Sequence, residues 1–289
     1  CSWTTRIIRI HSRKSIIMLS RNLIQRAVSG AIFVATIVSS ILVSPWTFLA
    51  VFLIISSLAM REFYNMINAP GRIDVMVGPA IVANCILFFV FFARHFMEFI
   101  PFNLMPIYGL FVILVLLSEL FRHRHRPLHN WAYFFLGQAM VSLPFALLSN
   151  VLYFNNSWNP NLLLAVFVII WVNDTFAYLV GSTFGRHRLF ERISPKKSWE
   201  GFIGGAVASV VAGYVFSLFE TDLVWWQWLI FSLLVVVFGT FGDLMESLIK
   251  RSVGVKDSGR IIPGHGGLLD RFDSMLLAVP VIFLYLQLF

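Results

Sequence analysis

Long apolar segments recur along almost the whole chain and constrain its fold more than any other feature. A helix needs about 20 mostly apolar residues to cross the hydrocarbon core of a bilayer, because its backbone polar groups must all be bonded within the segment. The sequence therefore predicts an all-α, polytopic integral membrane protein with about nine transmembrane helices. The nine segments lie at about 27–44, 46–62, 75–93, 100–121, 131–154, 161–185, 200–219, 223–249 and 272–289.

The composition agrees with this fold class. Hydrophobic residues make up 58% of the chain and charged residues 12%, whereas a soluble domain usually carries about 25% charged residues. No soluble domain remains to dock a nucleic-acid duplex, so we expect no nucleic-acid partner. The net charge of +8 instead fits contact with anionic membrane lipids. The two cysteines, Cys1 and Cys85, cannot make a disulfide framework.

The distribution of basic residues predicts the orientation in the membrane. Of the 22 Lys and Arg residues, all but Arg94 fall on one face of the nine-span topology. Cytoplasmic loops carry an excess of Lys and Arg, so the N-terminus is predicted to be cytoplasmic and the C-terminus to lie outside. Because the sequence has no long soluble extensions, we expect the bacterial inner (cell) membrane.

The chain divides into three predicted regions. A basic cytoplasmic segment covers residues 1–26, helices one to five cover 27–160, and 161–289 holds helices six to nine with their cytoplasmic loops. Met18 is a candidate natural start. The basic leader resembles the charged flank of a signal peptide, but the apolar run after it has full spanning length, so we interpret it as a retained first helix.

Ionisable residues inside the later spans indicate where the chemistry lies, since charges within a bilayer are costly and usually functional. Span six carries Asp174. Span eight carries Asp243, Glu246 and Lys250 at positions i, i+3 and i+7, which share one face of a helix. All of them lie toward the predicted cytoplasmic end of their spans.

Asp270 and Asp273, three residues apart, open span nine, and we expect them to converge with the acids of spans six and eight. Clustered carboxylates repel one another unless a cation lies among them. Hard oxygen ligands suit Mg²⁺, which typically binds through one or two carboxylates plus substrate phosphates. The opposing interpretation is that the acids pair with lysines and arginines of neighbouring helices.

A polar loop rich in glycine and basic residues joins spans eight and nine. Glycines allow close backbone approach, successive N–H groups can form an anion-binding nest, and the HGG run precedes a helix start that favours negative charge. The basic turn SPKKSWEG, residues 194–201, lies on the same predicted face. Loop and turn together predict a phosphate-binding region, in which His265 is a base, a phosphate contact or a plain loop residue.

The loop sequence carries a family resemblance. SLIKR, KDSG and PGHGGLLDRFD, within residues 247–273, resemble the signature of phosphatidate cytidylyltransferases, also called CDP-diacylglycerol synthases. The segments GDLMES, SPKKSWEG and NDTFAYLVGSTFG are similar to that family as well. Specific motifs cover roughly residues 165–275, and the N-terminal half is similar only as a hydrophobic multispan region.

The resemblance implies a membrane enzyme that joins CTP and phosphatidate into CDP-diacylglycerol and pyrophosphate at the cytoplasmic face. It also implies a homodimer, Mg²⁺ held by Asp243 and Asp270, and a potassium ion at the same site. With the residues above, it predicts as catalytic Asp243, Asp270, Lys250 and Asp273, and as metal ligands Asp243, Asp270 and Asp174. The predicted substrate-binding residues are Lys196, Lys197, Ser247, Arg251, Lys256, Asp257, His265, Gly266, Gly267 and Arg271.

The expected reaction is attack by a phosphatidate oxygen on the α-phosphorus of CTP, driven by positioning and charge neutralisation. One alternative is a CTP-dependent membrane lipid kinase, which transfers the γ-phosphoryl group and releases CDP. An ion-coupled transporter is the other. Transporters often show inverted repeats with sites near the midplane, whereas this sequence shows no repeat and its acids crowd one membrane face.

Overall fold

A computed structural model of the chain describes residues 25, 27–69, 71, 73–96, 103–123, 126–155, 157–259, 261 and 266–289. This part of the chain is mostly helical. Its α-helices are α1 (Ala27–Val43), α2 (Pro45–Asn68), α3 (Val77–Phe96), α4 (Met105–Ser118), α5 (Pro127–Gly137), α6 (Leu143–Leu152), α7 (Pro160–Phe184), α8 (Trp199–Phe216), α9 (Trp225–Ser252) and α10 (Met275–Leu286).

Six helices in the described ranges are long and apolar enough to cross a membrane. Three shorter apolar helices, Ala27–Val43, Met105–Phe121 and Met275–Leu286, fall where the remaining spans were predicted. The prediction of a mostly helical membrane protein is therefore confirmed. The six long helices are Pro45–Asn68, Val77–His95, Pro127–Leu152, Pro160–Phe184, Trp199–Phe216 and Trp225–Ser252. Pro127–Leu152 comprises α5 and α6, which are joined without a break by a π-helical stretch, Gln138–Ser142.

Two short antiparallel hairpins were not predicted. In the first, β1 (Tyr153–Phe154) pairs with β2 (Ser157–Trp158), so the fifth predicted segment leaves its helix at Leu152 rather than at residue 154. In the second, β3 (Arg188–Phe190) pairs with β4 (Ser194–Ser198). The predicted basic turn is thus largely a strand, which hydropathy could not reveal because the segment lies outside the apolar runs.

The start of the last helix also differs from the prediction. Leu269–Arg271 forms a single 3₁₀ turn, and the α-helix begins only at Met275. Asp270 and Asp273 therefore both precede the α-helix. They are not neighbours on one face of it, as their spacing would have made them if the helix had begun before Asp270. They belong to a compact segment that leads into α10.

Local sequence explains where several helices begin. Ser44 separates α1 from α2, and its hydroxyl accepts from the backbone N–H of Thr47 at 3.2 Å while the Thr47 hydroxyl accepts from the N–H of Ser44 at 3.1 Å. This capping box satisfies two amide groups that a helix start leaves without partners. Ser198 caps α8 in a similar way, since its hydroxyl accepts from the N–H of Gly201 at 3.2 Å.

The helices that carry the later motifs pack closely together. Helix α7 packs most extensively against α8, and α9 packs against both α8 and α10. A Cβ atom at Gly201 of α8 would lie only 2.7 Å from the carbonyl oxygen of Ala177 in α7. The absence of a side chain there lets the two backbones approach, as small residues do in membrane helix pairs.

An aromatic contact fixes the segment between α9 and α10 in the protein interior. Phe272 is 2% exposed, and its ring lies 5.6 Å from that of Phe33, 5.3 Å from that of Phe145 and 6.3 Å from that of Phe167. Burying such a ring contributes about 1.5–3 kcal/mol. Phe272 therefore anchors the acidic positions on either side of it to three different helices.

Candidate active site

The cytoplasm-proximal end of α9, in the predicted orientation, presents three of the predicted residues in ion pairs. Lys250 is 9% exposed as a side chain and pairs with Glu246, four residues earlier, and with the Oδ1 atom of Asp270 at 2.7 Å. The Oδ2 atom of Asp243 pairs with the ammonium group of Lys197 at 2.6 Å. The alternative prediction, that these acids pair with basic side chains, is thus also met: Lys250 belongs to α9 and Lys197 to β4.

Asp270 is held by both side-chain and backbone donors. Its Oδ2 atom accepts from the N–H groups of Ser258 at 3.1 Å and Gly267 at 3.0 Å, and its Oδ1 atom accepts from Lys250 at 2.7 Å. Burial alone raises the pKa of the Asp270 carboxyl, but the hydrogen bond and charge of Lys250 and the two N–H groups outweigh it, so the pKa lies below its ordinary value. Asp270 is therefore a fixed carboxylate at neutral pH.

A second group of carboxylates lies where α7, α9 and the start of α10 meet. A Cβ atom at Gly242 would lie 2.6 Å from the carbonyl oxygen of Asp273, so this glycine lets α9 approach the segment that carries Asp273. Asp273 interacts electrostatically with Asp243, Glu246 and Asp174. Acids from these three parts of the chain thus lie near Asp273, whereas Asp270, which was predicted to join them, is bound by Lys250, Ser258 and Gly267.

The donor chemistry of these groups fits a hard divalent cation. Asp273 lies within electrostatic range of Asp174, Asp243 and Glu246, and Asp174 lies within range of Asp243, so these carboxylates offer hard oxygen ligands close to one another. Among the described residues, no three His, Cys, Asp or Glu side chains are arranged to hold a metal ion by themselves. Mg²⁺ usually completes its shell with water and substrate phosphates around one or two carboxylates, so the set is compatible with it.

A cavity of about 550 Å³ opens beside this group. Its walls come from α7, α8 and the β3–β4 hairpin, and it reaches Thr240 of α9 and Ser274 before α10. Basic and apolar side chains share its lining, which suits a ligand with both charged and apolar parts. The basic ones are Arg188, Lys196 and Lys197, and the larger apolar ones are Tyr178, Leu189 and Phe202.

The β3–β4 hairpin that supplies these bases is attached to the start of α8. The carboxylate of Glu200 accepts from the N–H groups of Arg186 at 3.1 Å and His187 at 3.2 Å, and it contacts the His187 ring at 2.6 Å. The N–H of Trp199 donates to the carbonyl oxygen of His187 at 3.0 Å. These bonds fix the direction in which the hairpin presents its bases to the cavity.

The remaining predicted residues lie in several different places. Ser247 donates to Asp243 at 3.3 Å, and Arg271 interacts electrostatically with Asp174, so both adjoin the acidic group. Gly266 lies against Asp270, since a Cβ atom on it would be 3.2 Å from Oδ2. Arg251 donates to the carbonyl oxygen of Val255 at 3.0 Å. The others are exposed Lys256 and Asp257 and His265, which lies outside the described residues.

Two residues at the site were not predicted. Arg188 lines the cavity, but in the sequence it was counted only as a topogenic charge. Glu62 of α2 is 5% exposed and accepts a hydrogen bond from the N–H of Leu269 at 2.9 Å. The sequence does contain an indication of Glu62, because it is an acid within the apolar run SSLAMREFYNM. Ionisable residues inside membrane spans are usually functional, and this applies to Glu62 as well as to the acids of the later spans.

Comparison with known proteins decides the family. A cytidylyltransferase family model matches residues 24–289. This chain belongs to that family. The match extends far beyond the motifs that first indicated it. Together with the relatives described next, it confirms the predicted membership in the phosphatidate cytidylyltransferase family of membrane enzymes.

Three staphylococcal relatives, each named phosphatidate cytidylyltransferase, illustrate the similarity. The protein of Staphylococcus haemolyticus is 32% identical over 231 residues, which is 79% of this chain and 85% of the relative. That of Staphylococcus aureus is 33% identical over 231 residues, with the same coverage. That of Staphylococcus saprophyticus is 44% identical over 132 residues, so the matched part spans about half of that relative, 51%, and 45% of this chain.

Proposed function

We propose that this chain makes CDP-diacylglycerol and pyrophosphate from CTP and phosphatidate at the cavity between α7, α8 and the β3–β4 hairpin. One observation carries the proposal: three basic side chains and the carboxylate of Asp174 line one cavity, next to the acids of α9, in a membrane protein of the cytidylyltransferase family. Such a site can accept two anions and a cation together. In the predicted orientation it would lie where a lipid phosphate and a water-soluble nucleotide can meet.

The proposed step is a displacement at phosphorus. A phosphate oxygen of phosphatidate forms a bond to the α-phosphorus of CTP, and the bond from that phosphorus to the oxygen bridging to the β-phosphorus breaks. Pyrophosphate leaves with the electron pair of the broken bond. The attacking phosphate is already deprotonated at neutral pH, so the protein needs no strong general base and contributes mainly positioning and charge compensation.

The basic residues of the cavity have separate tasks in this proposal. Lys196 and Arg188 bind the phosphates of the two substrates and offset their mutual repulsion. Lys197 bridges the cavity and α9 through its ion pair with Asp243, so it links substrate binding to the acidic group. Lys250 keeps Asp270 in place through the 2.7 Å contact.

Mg²⁺ is the proposed cofactor. The family resemblance proposes Asp243 and Asp270 as its ligands, which in the structure pair with Lys197 and Lys250 respectively, and Asp174 is a further candidate. When bound, the ion would supply charge neutralisation for the phosphate oxygens during displacement. Asp273, which interacts electrostatically with Asp243 and Asp174, is proposed to support these ligands. A potassium ion in the same site is a proposal carried by the resemblance alone.

The membrane arrangement is proposed from the sequence and the helix pattern together. Nine spans with a cytoplasmic N-terminus would place the end of α9 and the β3–β4 hairpin on the cytoplasmic side, where CTP is available. The apolar helices and the bacterial relatives support placement in a bacterial cell membrane. A homodimer in which residues 161–289 form the catalytic part is proposed on the family resemblance.

Substituting Lys196 by alanine is expected to raise KM for CTP or phosphatidate by about tenfold, because a hydrogen bond to a charged group is worth about 1.5–3 kcal/mol. We expect kcat to change much less. Arg192→Ala is the matched control, since Arg192 lies in the turn of the same hairpin and is exposed. Steady-state kinetics with each substrate varied would test this, and equal KM values for both variants and the wild type would remove Lys196 from the substrate site.

Purified protein supplied with phosphatidate, Mg²⁺ and each nucleoside triphosphate in turn tests the proposed function. We expect pyrophosphate release only when a cytidine nucleotide and phosphatidate are both present. Release of CDP in place of pyrophosphate would instead identify a lipid kinase. If the folded protein released neither pyrophosphate nor CDP, both cytidylyl transfer and lipid kinase activity would be refuted.

A further inference from the structure

Glu62 connects the N-terminal helices to the loop that carries Asp270. It lies in α2, is 5% exposed, and is separated by about 200 residues in sequence from the groups that it contacts. Its Oε2 atom accepts from the N–H of Leu269 at 2.9 Å and from the hydroxyl of Ser258 at 3.4 Å. A buried carboxylate is costly unless it is hydrogen-bonded. These two contacts satisfy Oε2, whereas Oε1 is buried without a hydrogen-bond partner among the described residues.

The same two loop segments also bind Asp270. The N–H of Ser258 donates to Oδ2 of Asp270 at 3.1 Å, while the Ser258 hydroxyl faces Glu62. The N–H of Gly267 donates to Asp270 at 3.0 Å, and that of Leu269, two residues later, donates to Glu62. Each segment therefore spans the two carboxylates, with one bond to each.

The loop backbone lies directly against the Glu62 carboxyl group. A Cβ atom at Gly267 would be 2.8 Å from Oε2 of Glu62, and one at Gly259 would be 3.0 Å from its Cγ atom. Neither position has room for a side chain. Gly267, which was predicted to bind substrate, and Gly259 thus both allow the loop to lie close around Glu62.

We propose that Glu62 is a positioning residue that holds the Ser258 and Gly267–Leu269 segments together and thereby orients Asp270 and its partner Lys250. It touches neither reacting phosphate in this proposal and acts only through the loop. The inference rests on the proposed function, because it assigns Asp270 to the catalytic centre.

The test compares three variants of the full-length protein in detergent. Glu62→Ala removes both acceptor contacts, and Glu62→Gln keeps one oxygen at the same distance along the side chain. Glu119→Gln is the matched control: Glu119 is likewise buried, at 6% exposure, and hydrogen-bonded, but it contacts Arg122 and Asn130 instead of the loop. The measurements are kcat per folded protein, the Mg²⁺ concentration for half-maximal activity, and hydrogen exchange of a peptide covering residues 256–271.

For Glu62→Ala we expect kcat to fall and the Mg²⁺ concentration for half-maximal activity to rise. The product of the two changes should be about 10- to 100-fold, as for other residues that orient metal ligands. Hydrogen exchange in residues 256–271 should accelerate. Glu62→Gln should recover most of the activity, and Glu119→Gln should leave the Mg²⁺ dependence and the exchange of this peptide unchanged.

Unchanged hydrogen exchange in Glu62→Ala would overturn the inference, whatever the activity. So would a loss of activity with the same Mg²⁺ dependence in Glu62→Ala and Glu119→Gln, since that would reflect general destabilisation. If the wild-type protein released no pyrophosphate from CTP and phosphatidate, the proposed function would fail instead, and hydrogen exchange would still test whether Glu62 holds the loop.

Discussion

Replacing Asp243 by asparagine is expected to lower kcat by about 10²- to 10³-fold, the range seen when one preorganised electrostatic contact at a reacting centre is removed. Asparagine has nearly the same shape, but it carries no charge. The ion pair with Lys197 at 2.6 Å would be lost, and so would one of the two carboxylates proposed to hold Mg²⁺. Because the wild-type carboxylate lies among other acids, removing its charge relieves repulsion and should not unfold the protein.

Asp74→Asn provides the matched control for this substitution. Asp74 also pairs with a basic side chain, that of Arg122, at 2.9 Å, but it does not line the cavity. We expect Asp74→Asn to keep kcat within about threefold of the wild type, since surface substitutions of this kind are usually mild. Equal kcat values for both variants, measured on protein of equal thermal stability, would remove Asp243 from the catalytic centre.

Replacing Lys250 by methionine is expected to have the largest effect on stability, about 3 kcal/mol or more. Lys250 is 7% exposed and is shared between the buried Glu246 and Asp270. Removing one partner of a buried ion pair leaves an uncompensated charge, which typically costs about 3–5 kcal/mol. Methionine retains most of the volume, so lost packing contributes little to the expected change. Turnover should be lost as well, because Asp270 loses its 2.7 Å partner.

The double variant Glu246→Gln/Lys250→Met separates the charge effect from a packing effect. It removes one of the two acids that the single variant leaves without compensation, so we expect it to recover part of the lost stability while turnover stays low. Thermal or denaturant unfolding in one detergent would measure both differences. If the single variant were as stable as the wild type, Lys250 would not be the residue that compensates these buried acids.

Hydropathy predicted the helices well because the membrane imposes a length on each apolar run. The predicted 200–219 and 223–249 correspond to Trp199–Phe216 and Trp225–Ser252, so errors are confined to a few residues at the ends. The ends depend on local bonds that a hydropathy pattern does not contain. The last helix, for example, begins at Met275 because residues 269–271 form a 3₁₀ turn packed through Phe272.

The candidate site was predictable where it depends on spacing within one helix or on a continuous motif. Glu246 and Lys250, predicted to share one face of a helix, do pair across one turn of α9. The ion pair between Lys197 and Asp243 was not predicted, because it joins two separate segments. Glu62 was missed because its partner Leu269 is 207 residues away along the chain. Contacts of that separation follow from how the helices pack, and a single sequence contains no direct signal for them.

The most direct test of cytidylyl transfer follows two radiolabels of CTP into lipid. Purified wild-type protein would be given phosphatidate, Mg²⁺ and CTP labelled at either the α- or the γ-phosphorus, and the lipid and aqueous phases would be counted. We predict that the α-label enters the lipid and that the γ-label leaves as pyrophosphate. Entry of the γ-label into lipid, or of neither label, would contradict the account.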